Sequence, residues 1–373
     1  MKKKILLITS ANTGAGHQSI SDSLTEQFSV MPDVEVQVID GFHLMGRTGI
    51  HGSKLYNFML RRIPAFYNAS WKLTMTHPPR LTVASFLCER RFMKYIRSFH
   101  PDLILTVHSL FNTVITQILK RHDLNIPVVV LQADLVDIHS TWCNPEAYMT
   151  ICPTREAYDA SVRQGMPPGK LKIMGFPVRS SFCRAAREAD GNDYDPSRSL
   201  RCLMMSGSEG SGSLEAYAES VLGNTDVELT VICGHNRKLQ NHLQKSLSEH
   251  GKRVAVLGFV QNVEQTMLHS DLLIARGSPN TLLEAVTMNL PVIIIGPVPE
   301  QEKGNARLMT DHNLGVICKS PADAPQVIGG LLSDHRARLK EIRAAQQAFR
   351  NTDNARDIAA YVKELAEPRE YVP

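Results

Sequence analysis

Short runs rich in β-branched residues recur along the chain, each followed by an amphipathic stretch, and this alternation limits the fold more than any other feature. The runs at 4–9, 34–39, 103–107, 128–132 and 147–151 are expected strands, as are those at 201–206, 228–233, 253–257, 272–275 and 292–295. Near-continuous apolar strands separated by helical patterns pack as parallel sheets covered on both faces. Both halves are therefore α/β. Residues 180–199 turn polar and carry Gly191 and Pro196, the composition of an exposed connection. This sets domains at 1–180 and 200–373 with a linker at about 181–199. From 321 to 367 the pattern is helical without a further strand, and the last helix is free to pack back on the N-terminal domain.

Composition narrows the class. The 373 residues are 43% hydrophobic and 21% charged, which excludes a disordered or collagenous chain. No apolar run approaches the ~18 residues that a membrane span needs. The opening MKKKILLITS resembles a secretory signal, but its apolar stretch falls short of the ~7 to 15 residues expected and reads better as a first buried strand. Seven cysteines without a CxxC pair argue against a zinc site or disulfide framework and for a reducing compartment.

Each half opens in the same way, with a strand, a loop of small residues and a helix. The first loop holds Gly14, Gly16 and His17, the second Ser206, Gly207, Ser208, Gly210 and Gly212. Such turns let backbone approach a phosphate, and the helix that follows offers unpaired N–H groups and a positive dipole end. Two Rossmann-like units of this kind, facing one another, would bind ligands in an interdomain cleft beyond the carboxyl ends of their strands. His17, near a helix N-terminus, would stay neutral and suit a general base. The densest signal is residues 276–285, with Gly277, Ser278, Pro279, Asn280 and Thr281 opening a helix and Glu284 one turn on, where it could accept from a ribose diol. In the polar loop at 299–305, Gln301 and Glu302 could read sugar hydroxyls.

These residues resemble a known family. TGAGHQS (13–19), Asp134 to His139 with Trp142, GFPVRSSF (175–182), the loop 207–212, ICGHN (232–236), GFV (258–260), SPNTLLEA (278–285) and PEQEKGN (299–305) are similar to the monogalactosyldiacylglycerol synthases and processive diacylglycerol glucosyltransferases, relatives of the peptidoglycan N-acetylglucosaminyltransferase. The resemblance implies an inverting GT-B glycosyltransferase with donor on the C-terminal domain and acceptor on the N-terminal one. Phe259 would border uracil, Glu284 would bind ribose, and residues 206–212 with 278–281 would hold pyrophosphate. Gln301 and Glu302 would contact the donor sugar, and Trp142 would lie near acceptor or membrane. His17, or less favourably Asp134, would be the base. The chain departs from the family where Ser278-Pro279-Asn280-Thr281 replaces GPGT, where His235 replaces an arginine and where Glu300 replaces a glycine. Asn280 can still adopt the left-handed backbone that glycine would supply.

Residues 47–100 carry ten Lys and Arg against the single acid Glu89, whereas the rest of the chain is net acidic. Nine of the 23 aromatics, Trp71 among them, lie in the same segment, which makes it a candidate for an anionic lipid surface. No nucleic-acid motif accompanies it. The expectation is thus a metal-independent enzyme without cofactor, taking UDP-galactose or UDP-glucose and a lipid such as diacylglycerol, cytoplasmic and peripheral on the inner face of the cell membrane. A non-hydrolysing UDP-N-acetylglucosamine epimerase and a silent nucleotide-sugar-binding subunit are the alternatives.

Overall fold

The computed structural model describes residues 2–10, 15–76, 81–189, 198–205, 213–296 and 300–367. They form two compact units, Met1–Arg179 with Pro299–Gln301 and Asp353–Pro373, and Ser180–Val298 with Glu302–Thr352.

The first unit is built on six parallel strands: β1 (Lys3–Thr9), β2 (Val34–Asp40), β3 (Leu103–Thr106), β4 (Val128–Leu131), β5 (Met149–Cys152) and β6 (Leu171–Ile173). Their order is β2-β1-β3-β4-β5-β6. The chain runs from β1 to β2 on one side and then returns to place β3 on the other, so a topological switch point lies between the carboxyl ends of β1 and β3. Central strands are buried on both faces, as Ile5 to Ile8, Leu103 to Leu105 and Val129 to Leu131 are wholly enclosed.

The second unit repeats the plan with β7 (Leu200–Met205), β8 (Val227–Ile232), β9 (Val254–Leu257), β10 (Leu272–Ala275), β11 (Val292–Ile295) and β12 (Gly315–Cys318), in the order β12-β11-β10-β7-β8-β9. Its switch point falls between β7 and β10. Just before β7, Arg198 makes a two-pronged bond to Asp271 at 2.6 and 2.7 Å, and Arg201 adds a backbone N–H at 2.9 Å. Burial raises the Asp271 carboxyl, but the two guanidiniums outweigh it and the net direction is down.

Part of the expected linker is ordered helix. Residues Ser180–Ala189 form a helix that buries Phe182, Cys183, Ala185 and Ala186 against the second unit's helices Val263–Leu268 and Pro279–Thr287. Its polar average hides an apolar face at helical spacing. The helix Asn354–Leu365 returns to the first unit and packs on the helix Ala15–Ser29. Lys363 pairs with Asp33 at 2.7 Å, and Asn354 donates to the Phe176 carbonyl at 3.4 Å. Gly175, at φ +82°, admits that contact, since a Cβ there would lie 2.2 Å from the Asn354 amide.

The basic segment forms the helices Gly46–Arg62, Pro64–Thr76 and Thr82–Phe99. Its apolar residues divide: Cys88, Phe92, Ile96 and Phe99 enter the core, while Leu55, Phe66, Leu73, Val83 and Phe86 are each more than half exposed. No helix among the described residues is long and apolar enough to cross a membrane.

Candidate active site

Three side chains meet at the switch point of the first sheet. His17 is in the first turn of the helix that follows β1, His108 lies two residues past the end of β3, and Trp142 closes the turn after β4. The Nδ1 of His17 lies 2.7 Å from the Val107 carbonyl. A carbonyl only accepts, so Nδ1 carries the proton and Nε2 keeps its lone pair. Thr9 and Ser21 hydroxyls donate to the His17 carbonyl at 3.2 and 2.9 Å and fix its backbone. Burial pulls the imidazole down to about 4, and the Val107 bond opposes it. His17 is neutral for this reason first, with the helix dipole acting in the same direction.

Asp134 is the other candidate base. Burial pushes its carboxyl up to about 6, and the indole N–H of Trp142, donating to Oδ2 at 2.6 Å, holds it back from rising further. Trp142 is wholly buried, and its ring lies 6.3 Å from that of His17. His139 sits apart from this group. Its Nδ1 accepts from the Thr141 N–H, so its Nε2 donates to the Thr74 hydroxyl at 3.0 Å, and its ring lies 5.5 Å from Trp71. Ser140 donates to the Thr74 carbonyl, so the helix Pro64–Thr76 is fastened to the turn bearing Trp142. Gly16 lies within the helix ahead of His17; Gly14 lies outside the described residues.

The second unit places its candidates in mirrored positions. Ser278 is the N-cap of the helix Pro279–Thr287, at the carboxyl end of β10. Its hydroxyl donates to that of Thr281 at 3.0 Å, and Asn305 donates to the Gly277 carbonyl at 2.9 Å. First-turn N–H groups have no partner within their own helix, which suits this end to a phosphate. Asn280 takes ordinary helical geometry and does not use the left-handed backbone open to it, because Pro279 starts the helix one position earlier. Glu284 is 6% exposed and engaged within the protein. Beyond β8, Gly234 turns at φ +60° and His235 stacks on Phe259 beyond β9, with centroids 4.2 Å apart and planes 12° apart. Phe259 is 57% exposed, an aromatic face open to a planar ring. Glu302 is the N-cap of the helix Lys303–Asp311. Ser206, Gly207, Ser208, Gly210, Gly212 and the Gln301 side chain lie outside the described residues.

Sequence reasoning missed His108 and the role of Asn305. His108 follows a strand and caps a helix without any glycine, and the topology that sets it beside His17 cannot be seen in linear sequence. Among the described residues no three His, Cys, Asp or Glu side chains gather in a way that could hold a metal ion.

Two doubly wound parallel sheets in one chain, each with polar groups beside its switch point, make up the GT-B fold. The chain aligns over 98% of its length with all of the MurG structure from Acinetobacter baumannii, at a TM-score of 0.69 and 14% identity, a likeness of fold alone. Residues 17–178 match the monogalactosyldiacylglycerol (MGDG) synthase family and residues 201–361 the glycosyltransferase family 28 C-terminal domain, so the chain belongs with the glycosyltransferases of MGDG synthase type. Among similar proteins, the probable monogalactosyldiacylglycerol synthase 2, chloroplastic, of Oryza sativa subsp. japonica is 28% identical over 90% of this chain and 75% of its own. Monogalactosyldiacylglycerol synthase 2, chloroplastic, of Arabidopsis thaliana is 26% identical over 99% and 82%.

The chain is accordingly a hexosyltransferase, and the epimerase and silent-subunit readings give way to it. The expected location is corrected as well. The relatives are named as chloroplastic enzymes, which overturns a reading of the inner face of the cell membrane. A basic, aromatic segment carries no address for one membrane over another.

Proposed function

We propose that the enzyme transfers a hexose from UDP-galactose or UDP-glucose to diacylglycerol, with inversion at the anomeric carbon, and needs no metal or cofactor to do so. The acceptor hydroxyl is deprotonated by the Nε2 of His17, which holds a lone pair; Asp134 is the second candidate for this role. Trp71 and His139 line the acceptor's approach, and Trp142 backs it from within the core. On the second unit, Phe259 and His235 receive the uracil and Glu284 the ribose. The departing diphosphate is stabilised by the helix end at Ser278, Pro279, Asn280 and Thr281 together with residues 206–212, while Gln301 and Glu302 hold the sugar.

One observation carries the lipid acceptor. The unit that matches the MGDG synthase family combines a neutral histidine at its switch point with exposed apolar side chains, Phe66, Leu73, Val83 and Phe86, in a segment with ten Lys and Arg. A basic segment of this kind suits an anionic membrane surface from which a lipid is drawn.

The test is UDP release from a panel of UDP-sugars, with and without anionic liposomes containing diacylglycerol, followed by mass analysis of the lipid. Diacylglycerol-dependent release with a hexose mass increment is expected. Release without a lipid product would move the acceptor to another molecule.

A further inference from the structure

His17 has a second imidazole against it that the proposed chemistry does not use. The rings of His17 and His108 lie 4.6 Å apart, tilted by 45°. Adjacent residues therefore hold the candidate base from two directions, Val107 by its carbonyl and His108 by its ring.

His108 is itself fixed. As N-cap of the helix Ser109–Arg121 it accepts the Leu110 N–H on Nδ1 at 3.2 Å, so its proton is on Nε2, the opposite tautomer to His17. Protonating Nδ1 would forfeit the cap. Phe42 meets the ring edge-on at 5.4 Å and Phe111 packs at 5.3 Å, so an apolar wall confines it. Burial drives this imidazole well below its ordinary range, and the nearby His17 adds to the effect. The titratable groups on elements packed round the pair are Asp40 and His43, which flank Phe42, and Asp134, which reaches the pair through Trp142.

We infer that His108 is a positioning residue for His17: its neutral ring, locked by the helix cap, clamps the neighbouring imidazole in the tautomer that leaves Nε2 unprotonated and shields it from water. A helix cap alone would need only a short polar side chain, and Asn or Ser caps better than His. The ring is therefore the part to test. The inference rests on His17 as the base, but the clamp is measurable without any substrate.

Two variants separate cap from ring. His108→Asn keeps a capping acceptor and removes the ring, whereas His108→Phe keeps a ring and removes the acceptor. The His17 imidazole is followed by NMR titration of protein labelled at the histidine ring carbons, with its resonance assigned by its loss in His17→Gln. In His108→Asn the His17 resonance should titrate at higher pH than in the wild type, and in His108→Phe close to the wild type. kcat should fall on the order of 10- to 100-fold in the Asn variant with KM for the donor unchanged, as expected for a misplaced base. Unchanged titration of His17 in the Asn variant would overturn the inference, as would equal shifts in both variants. Normal clamping in a protein that transfers no sugar would leave the inference standing and remove the proposed reaction instead.

Discussion

The indole N–H of Trp142 donates to Oδ2 of Asp134 at 2.6 Å, and both side chains belong to the turn that follows β4. This bond holds in place a carboxyl that burial has brought to about 6 and an aromatic ring that lies beside His17. The carboxylate, the indole and the imidazole therefore form one connected group, and a change to any member should reach the others.

Trp142→Phe keeps most of the buried ring and deletes the donor. The Asp134 carboxyl then loses its partner, at a cost of about 1–3 kcal/mol. Urea denaturation should register that loss at pH 8, and Asp134→Asn added to Trp142→Phe should recover part of it, a non-additivity that a double-mutant cycle reads directly.

The two titrating groups have opposite effects on stability. Asp134 binds its proton more tightly when folded, so between about 3.8 and 6 it makes the protein less stable as pH rises. His17 binds its proton less tightly when folded, so between about 4 and 6.5 it makes the protein more stable as pH rises. Asp134→Asn should therefore gain stability relative to the wild type from pH 4 to pH 7. Thermal melts of both proteins across that range check the sign.

The base can be identified kinetically. With His17 as base, the acid limb of kcat/KM should fall near 4, and His17→Ala should lose on the order of 10² to 10⁴ in kcat with donor affinity retained. A limb near 6 that disappears in Asp134→Asn would transfer the role to the carboxylate.

Phe259 is more than half exposed, so Phe259→Ala should change stability by no more than about 0.5 kcal/mol. Loss of a stacking face should weaken UDP binding by about 1–3 kcal/mol, measured by calorimetry. Equal UDP affinity in the two proteins would remove the uracil from this ring.

Leu73→Glu and Phe86→Glu alter exposed positions in the basic segment and should lower sedimentation with anionic liposomes while leaving the melting temperature in place. Unchanged sedimentation would separate these side chains from the membrane.

Ten of the twelve strands were legible, the central ones because their residues are enclosed on both faces and read as unbroken apolar runs, as in Leu272–Ala275 and Val292–Ile295, and the edge strands β2 and β9 by their valines. The two that escaped, β6 and β12, lie at sheet edges, and each is only three or four residues long. An edge strand pairs on one side and needs fewer apolar residues, so Leu171-Lys172-Ile173 has little to mark it. His17 and the Ser278 helix cap were visible because small residues and proline punctuate their turns. His108 and Asn305 were not, since each acts on a partner brought near by the order of strands or by a distant loop.

The helix Asn354–Leu365 is made after the second unit, yet its apolar residues Ile358, Ala359 and Val362 close over the unit made before it. During synthesis the N-terminal sheet must therefore wait, with the helix Ala15–Ser29 uncovered, until the second unit has left the ribosome. Removing the helix Asn354–Leu365 should accordingly injure the half of the molecule that lies distant in sequence, and a nascent chain halted before Asp353 would present an unfinished surface to chaperones.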